Sequence, residues 1–309
     1  MRLRDNPLVT AAAGAVCNAT SGVLVRLADT APVTVAIYRC LYALPLLGLI
    51  THFERRRFGA PTEKSTRLAW VAGIFFALDL IFWHNAIDAV GAGLATVLGN
   101  LQVVIVGFAA WLFLSEKPDR SLFVAIPIVL GGVVLISGVV GEGAYGEDPV
   151  LGVILGAATS IAYAAFILVL RQGSGDLRRV AGPLFHATWV SAVVAALYGA
   201  ATGDVVWDPG WPSHGWLIVL AITSQVAGWL LIARSLPRLP AAITSVILLL
   251  QPVGAVALAA VTLGERPSLA QLLGAGLILV GVVVATAGHR RTSSKDSEPA
   301  SEPLLETSI

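Results

Sequence analysis

Ten apolar runs of about twenty residues each dominate the 309-residue sequence and set its class of fold. The runs cover residues 8–28, 32–51, 67–86, 92–114, 121–140, 150–170, 180–200, 214–233, 241–263 and 268–288. A helix of roughly 20 apolar residues crosses the hydrocarbon core of a bilayer, whereas an open strand leaves backbone groups unpaired in lipid. The runs also lack the alternating pattern of a membrane barrel. The sequence therefore predicts an all-α integral membrane protein with ten transmembrane helices.

The composition excludes several functions. Only 13% of the residues are charged and 56% are hydrophobic, whereas about a quarter of the residues in soluble domains are charged. A net charge of +1, with the basic residues mostly in loops, argues against nucleic-acid binding. Cys17 and Cys40 form no metal-binding or disulfide pattern, and the sequence has no nucleotide-binding loop or catalytic constellation. We therefore expect no enzyme, cofactor or metal, and we expect a lipid bilayer and a small solute as partners.

The basic residues predict the orientation of the chain. When the loops are assigned alternately to two sides, seventeen of the twenty Lys and Arg residues fall on one side. Because cytoplasmic loops are enriched in these residues, both termini are predicted to be cytoplasmic, in a multi-pass protein of the cytoplasmic (inner) membrane. Residues 1–7 form the N-terminal segment. Residues 289–309 are rich in Ser and Glu, so we expect a disordered cytoplasmic tail.

The sequence contains an internal repeat. Residues 92–136 align without a gap on residues 241–285, with thirteen identities in forty-five positions. The matched pairs include Gln102 with Gln251 and Glu116 with Glu265. A weaker match extends the repeat to two five-helix units, 8–140 and 150–288. Since five crossings are an odd number, the second unit is inverted, which is typical of carriers that open a midplane site to either side.

Short motifs occur at several helix ends and inside two of the runs. They are Ile37-Tyr38-Arg39, the stretch from Asp79 to Trp83-His84, Ser115-Glu116-Lys117-Pro118, Gly264-Glu265-Arg266-Pro267, Gly132-Val133-Val134 and Gly281-Val282-Val283. Together they resemble the EamA family of the drug/metabolite transporter superfamily, over about residues 8–288. In one departure, Pro252 in the ninth run has Val103 as its counterpart.

The resemblance implies a secondary transporter, often an exporter, of small organic metabolites, amino acids or drug-like solutes. Transport would proceed by alternating access, with proton coupling or uniport both open. No Lys lies within any run, which argues against phosphorylated sugars as solutes. A lipid-handling flippase and a non-transporting membrane scaffold are the alternatives.

Two charged residues lie well inside the apolar runs, away from their ends. Arg39 and Asp79 each lie about seven residues from the same predicted membrane surface, roughly 10 Å deep. Charges in hydrocarbon cost several kcal/mol, so such residues are usually paired or functional. Either the two form a buried ion pair that fixes helix packing, or Asp79 is a proton or substrate-ammonium site that Arg39 tunes. His84 is either a proton relay or a hydrogen-bonded interfacial residue.

Aromatic and amide residues are further candidates. Helical spacing puts Trp83 on the stripe of Asp79, and the repeat relates this stripe to Gln225 and Trp229. Trp83, Trp229 and Tyr163 offer ring faces to a cationic or aromatic solute, although indoles near helix ends often anchor a protein at the interface.

Four other amide residues either line a cavity or bond between helices: Asn18, Asn100, Gln102 and Gln251. Glu116 and Glu265 end the fourth and ninth runs. For both we predict a helix-end or gating contact with neighbouring basic residues rather than substrate chemistry.

Overall fold

The computed structural model describes residues 6–136, 148–262, 264 and 268–296. Within these ranges the chain is helical and contains no strand, which confirms the all-α prediction. The helices are α1 (Pro7–Ala28), α2 (Pro32–Phe58), α3 (Glu63–Asn100), α4 (Gln102–Leu114), α5 (Arg120–Ile136), α6 (Pro149–Gly173), α7 (Ala181–Thr202), α8 (Ser213–Leu220), α9 (Trp229–Ser235), α10 (Ala241–Leu248), α11 (Leu250–Thr262) and α12 (Leu269–Asp296). A π-helical segment (Ala221–Gly228) joins α8 to α9, and a 3₁₀ turn (Leu236–Arg238) follows α9.

The helices have the length and polarity of membrane spans. In the described part of the chain, nine helical segments of at least 18 residues are apolar enough to cross a bilayer, and the apolar helix Arg120–Leu135 is shorter. Large apolar side chains also cover the outside of the bundle, among them Phe113, which is 75% exposed, and Leu197, which is 67% exposed. Such a surface is stable against lipid tails and costly in water, so the protein is an integral membrane protein.

Side-chain caps set where several helices begin. The Asn6 side chain accepts a hydrogen bond from the Leu8 amide at 3.0 Å, and Pro7 occupies the first helical position of α1. Asp148 caps α6 in the same way, with Pro149 following it. These side chains satisfy amides that the first helical turn leaves unpaired, and proline has no amide to satisfy. The predicted starts of the first and sixth runs therefore lie within two residues of the observed ones.

The helical stretch α3 folds back beside α6. Near its start, Leu68 lies against Gly173 at the end of α6. The Ala89 carbonyl accepts from the Asp148 amide just before α6 begins. Further along α3 its direction relative to α6 reverses, because Ser160, which lies deeper in α6, donates to the Leu98 carbonyl. Residues 63–89 thus run antiparallel to α6 and residues 89–100 run parallel to it, in agreement with two separate apolar runs.

Two helical stretches are interrupted, one at Leu101 between α3 and α4 and one at Leu249 between α10 and α11. At each break the amide bonds to the carbonyl three residues earlier, at 3.1 Å. A break frees other carbonyls, which need donors because hydrocarbon supplies none. Facing helices supply two of these donors: Ser160 bonds to α3 carbonyls, and the Gln102 amide nitrogen lies 3.5 Å from the Ser245 carbonyl.

Glycines allow two pairs of helices to approach closely. A Cβ atom on Gly14 of α1 would lie 2.9 Å from the Gly228 carbonyl, and one on Gly132 of α5 would lie 2.7 Å from the Gly274 carbonyl of α12. Small residues at such contacts are typical of helix packing in membranes, where dispersion rather than water exclusion holds helices together. The first of these contacts brings α1 close to the π-helical segment.

The last helix is longer than the sequence predicted. We expected the ordered part to end at residue 288, whereas α12 continues to Asp296. The sequence of the extension carries Arg290, Arg291 and Lys295, and positive charge near a helix C-terminus is favourable for the helix dipole. The rest of the predicted tail, 297–309, lies outside the described residues, as does the predicted N-terminal segment except for its last two residues.

Candidate functional site

Arg39 lies at the centre of a buried polar network. The residue is only 8% exposed. Its Nε donates to Oε1 of Gln225 at 3.2 Å, and one terminal nitrogen donates to the Ser224 hydroxyl at 3.3 Å. Its Cζ also lies 5.8 Å from the centre of the Phe76 ring, a distance that allows a cation–π contact. A guanidinium that would be costly to bury alone is therefore held by neutral groups.

The network continues from Arg39 into two further helices. Ser224 donates to the Asn18 side chain of α1 at 2.8 Å. The Gln225 amide nitrogen donates to the Thr188 hydroxyl of α7 at 3.2 Å. One chain of hydrogen bonds thus connects α1, α2, α7 and the π-helical segment, and it includes Asn18 and Gln225, which the sequence had indicated.

The π-helical segment places two successive residues where both accept hydrogen bonds from the Arg39 guanidinium. Ser224 and Gln225 are neighbours in sequence, and in the described structure both bond to Arg39. A π turn is wider than an α turn and commonly occurs at functional sites. Gly228 lets this segment approach α1, since a Cβ there would overlap the Asn18 side chain. Sequence reasoning missed this segment, although Thr223-Ser224-Gln225 is a polar interruption in an apolar run.

Asp79 is partly accessible and lies within electrostatic range of Arg39 and Tyr163. Among the described side chains, no ion pair of 4.0 Å or less joins Asp79 to Arg39. Tyr163 also lies near Gln251, whose side chain is partly exposed. The structure thus brings Asp79, Arg39, Tyr163 and Gln251 into one region without locking the two charges together.

An aromatic cluster packs beside this region. The Phe76 and Phe166 rings stack with centres 4.6 Å apart, and the Trp229 ring meets Phe166 edge-on at 4.8 Å. Trp229 is only 2% exposed, so in this structure it packs against rings rather than facing a solute. Tyr163 forms the edge of the cluster, 6.3 Å from Trp229. Trp83 lies elsewhere, partly exposed against a small cluster that contains Ala86.

Gln102 and Asn100 lie beside the break between α3 and α4. Gln102 is 1% exposed, and its side-chain oxygen has no hydrogen-bond partner among the described residues. Asn100 is partly exposed and ends α3, next to the break at Leu101. The side chain of His84 and the whole of Glu265 lie outside what the structure describes.

Carboxylates tie helices together at the end of the bundle that carries the α2–α3 loop (59–62), here called the α2–α3 face. Oε2 of Glu116 accepts from the Ala241 amide at 2.9 Å, and Oε1 pairs with Arg171 at 2.5 Å. Arg171 also donates to the carbonyl of Leu236, in the 3₁₀ turn, and to that of Leu239, just after it. Glu54 accepts from the Ala181 amide at 3.0 Å. Both carboxylates cap a helix start, and the capping role of Glu54 was not predicted.

A cavity of about 340 Å³ lies at the opposite end, the α1–α2 face, which carries the loops 29–31 and 203–212. Its described lining comes from the start of α2, from α3, from the end of α7 and from the loop after α7. In the described part of the chain, no group of three or more His, Cys, Asp or Glu side chains is arranged to hold a metal ion.

Comparison with known proteins identifies relatives over most of the chain. A model of the EamA-like transporter family matches residues 6–138 and 150–287. The chain is 25% identical over 299 residues to the uncharacterized transporter YcbK of Bacillus subtilis (strain 168), covering 92% of this chain and 93% of that protein. It is 23% identical over 237 residues to the uncharacterized transporter YwfM of the same strain, covering 74% and 76%. A solved crystal structure covers 93% of this chain and 98% of its own, with a TM-score of 0.76 at 18% identity, and shares the fold.

Proposed function

Because the chain belongs to the EamA-like transporter family, we propose that it is a secondary transporter working by alternating access in the cytoplasmic membrane. Its solute is a small organic metabolite, an amino acid or a drug-like compound, and the net direction is export. The α2–α3 face, which carries most of the basic loops, is the cytoplasmic face, and both termini lie on that side.

Two inverted halves of five crossings each, 8–140 and 150–288, fit this function. Contacts between α5 and α12 support the symmetry: Gly132 lies against Ile278, and Gly281 lies against Val129. The repeat offset relates Gly132 to Gly281 and Val129 to Ile278, so it exchanges the two contacts. Reciprocal contacts of this kind are expected where a two-fold axis relates two halves. Rocking one half against the other would then expose a midplane site to each side in turn.

The observation that carries the proposal is the separation of roles between Arg39 and Asp79. Arg39 donates hydrogen bonds to neutral side chains, so its charge keeps these partners whether or not Asp79 is protonated. Asp79 is partly accessible and has no close ion-pair partner among the described residues. It can therefore take up a proton or the positive group of a solute, while Arg39 sets the local potential. A purely structural ion pair would have placed the two charges in direct contact.

Opposite ends of the bundle differ in a way that fits one state of such a cycle. Glu116 holds α10 and α6 together at the α2–α3 face, while a cavity opens at the α1–α2 face. In this proposal, the contact between Glu116 and Arg171 breaks when the site opens to the cytoplasm.

Counterflow in liposomes tests the function. Purified protein is reconstituted and loaded with one unlabelled solute from a panel of amino acids and aromatic amines, and entry of the labelled solute is then followed. We expect wild type and Asp79→Asn to exchange solute, whereas only wild type responds to an imposed pH gradient. The control Asp29→Asn changes an exposed loop carboxylate and should behave as wild type.

Two results would count against the proposal. If no solute in the panel enters by counterflow, the transporter assignment has no support beyond the family. If Asp79→Asn responds to the pH gradient as wild type does, Asp79 is not the proton site and the coupling role assigned to it is wrong.

A further inference from the structure

The cavity at the α1–α2 face, called the vestibule below, has a lining of unusual chemistry. Pro32, Ala36 and Ile81 give it apolar walls, and its polar lining groups are Asn85 and Asp204 together with the Tyr198 hydroxyl. None of the described lining residues is basic. The vestibule thus combines one negative charge with apolar surface, and no described positive side chain lines it.

Asn85 offers the vestibule an acceptor rather than a donor. Its side-chain nitrogen already donates to the Ile81 carbonyl at 2.7 Å and to the Tyr198 hydroxyl at 3.1 Å. Both amide hydrogens are therefore used, and only the amide oxygen remains for a ligand. The Asp204 carboxylate is exposed, and no described basic side chain pairs with it. A ligand here meets two acceptors, one of them charged.

The vestibule lies in line with the central pair of charges. Ala36 lines it and precedes Arg39 by three residues on α2, while Ile81 lines it and follows Asp79 by two residues on α3. Since α2 runs away from the α1–α2 face and α3 runs toward it, both central residues lie about one helical turn or less below the vestibule. A solute that passes between the central site and this face would cross the vestibule.

We propose that the vestibule binds the ammonium group of a small organic amine, with Asp204 as counter-charge and the Asn85 oxygen as acceptor. The apolar walls receive the alkyl part of the same molecule. A volume of about 340 Å³ lies at the lower end of the range of roughly 300–1,000 Å³ for small-molecule sites. This inference rests on the proposed transporter function, because it names the chemical class of the solute.

Titration of the purified full chain with n-butylammonium chloride tests the inference. Binding is followed by ligand-observed NMR in detergent micelles, with protein-free micelles subtracted, and 1-butanol and sodium butyrate serve as uncharged and anionic comparisons. We expect n-butylammonium to bind more tightly than either. We expect Asp204→Asn to weaken it about five-fold, the scale of one partly exposed charge pair, and high salt to weaken wild type but not this variant.

A matched variant locates the effect. Asp29→Asn removes another exposed carboxylate at the same face, outside the vestibule lining, and should leave the dissociation constant unchanged. Asp29 has a left-handed backbone (φ 42°), which asparagine also tolerates. Melting temperatures of all variants establish that they are folded.

The inference is overturned if Asp204→Asn binds n-butylammonium as wild type does, if butyrate binds equally well, or if wild type binds none. The outcome is separable from that of the transport experiment. If solute enters by counterflow but Asp204→Asn does not weaken n-butylammonium binding, the inference about the vestibule is wrong and the transporter proposal is unaffected. Charge-dependent binding without counterflow of any solute keeps the vestibule as a binding site and removes the transporter proposal.

Discussion

Replacing Gln225 by methionine isolates the hydrogen bonds that hold Arg39. Methionine has a similar length and is flexible, so it fills the space without leaving a large cavity. The change removes the acceptor of the Arg39 Nε, at 3.2 Å, and the donor to Thr188, also at 3.2 Å. Both partners then lie in a buried site with fewer hydrogen bonds.

The expected loss follows from these two bonds. A hydrogen bond to a charged group contributes about 1.5–3 kcal/mol, and interhelical hydrogen bonds in membranes average about 0.6 kcal/mol. We expect the free energy of unfolding of Gln225→Met to fall by about 2–3.5 kcal/mol. A buried and still charged Arg39 makes the upper part of this range more appropriate.

Unfolding by sodium dodecyl sulfate, followed by tryptophan fluorescence, measures this loss. The control is Gln172→Met, which changes an exposed glutamine at the end of α6. A double-mutant cycle with Arg39→Met isolates the coupling, which should be about 1 kcal/mol or more for two groups in one network. Equal stability of the Gln225→Met and Gln172→Met proteins, or a coupling near zero, would refute the reasoning.

Three other predictions rest on packing and surface charge. Gly132→Ala should lower the melting temperature, because its Cβ would lie 2.7 Å from the backbone of α12, whereas Gly131→Ala, with open space around it, should not. Glu116→Ala should destabilise more than Glu63→Ala in thermal melts, because the Glu63 pair is about 70–78% exposed. Hydrogen bonds from Arg178 lower the pKa of the Asp176 carboxyl to about 2. The difference in the free energy of unfolding between wild type and Asp176→Asn should therefore stay constant from about pH 5 to 8 and shrink only as the pH falls toward 2.

Charge in an apolar run was the sequence signal that best predicted the site. Arg39 and Asp79 were singled out for that reason alone, and the structure places them within electrostatic range of each other. Gln225 followed from helical spacing and the repeat, Asn18 followed from its amide group in an apolar run, and both belong to the network around Arg39. A polar residue in hydrocarbon must find a partner, so its presence predicts contacts even when the partner is unknown.

Other features depend on distances that a sequence pattern does not contain. The π-helical segment differs from an α helix by its hydrogen-bond register, which leaves the apolar pattern nearly unchanged. Trp229 looked like a cavity wall, yet only the packing of Phe76 and Phe166 against it decides that it is buried. Glu54 directly precedes three arginines, and no motif in the sequence indicates that its carboxylate caps α7.

The two helix-capping carboxylates also bear on how the chain assembles as it is made. Glu54 and Glu116 belong to the first half of the chain, and the amides they accept from, at Ala181 and Ala241, belong to the second. A ribosome completes the first half earlier, so both acceptors are in place before α7 and α10 leave the translocation machinery. Each later helix then meets a ready negative group at its positive end. Nascent chains truncated before α7 should therefore lack the amide that Glu54 accepts from, whereas Glu116 can already pair with Arg171 of α6.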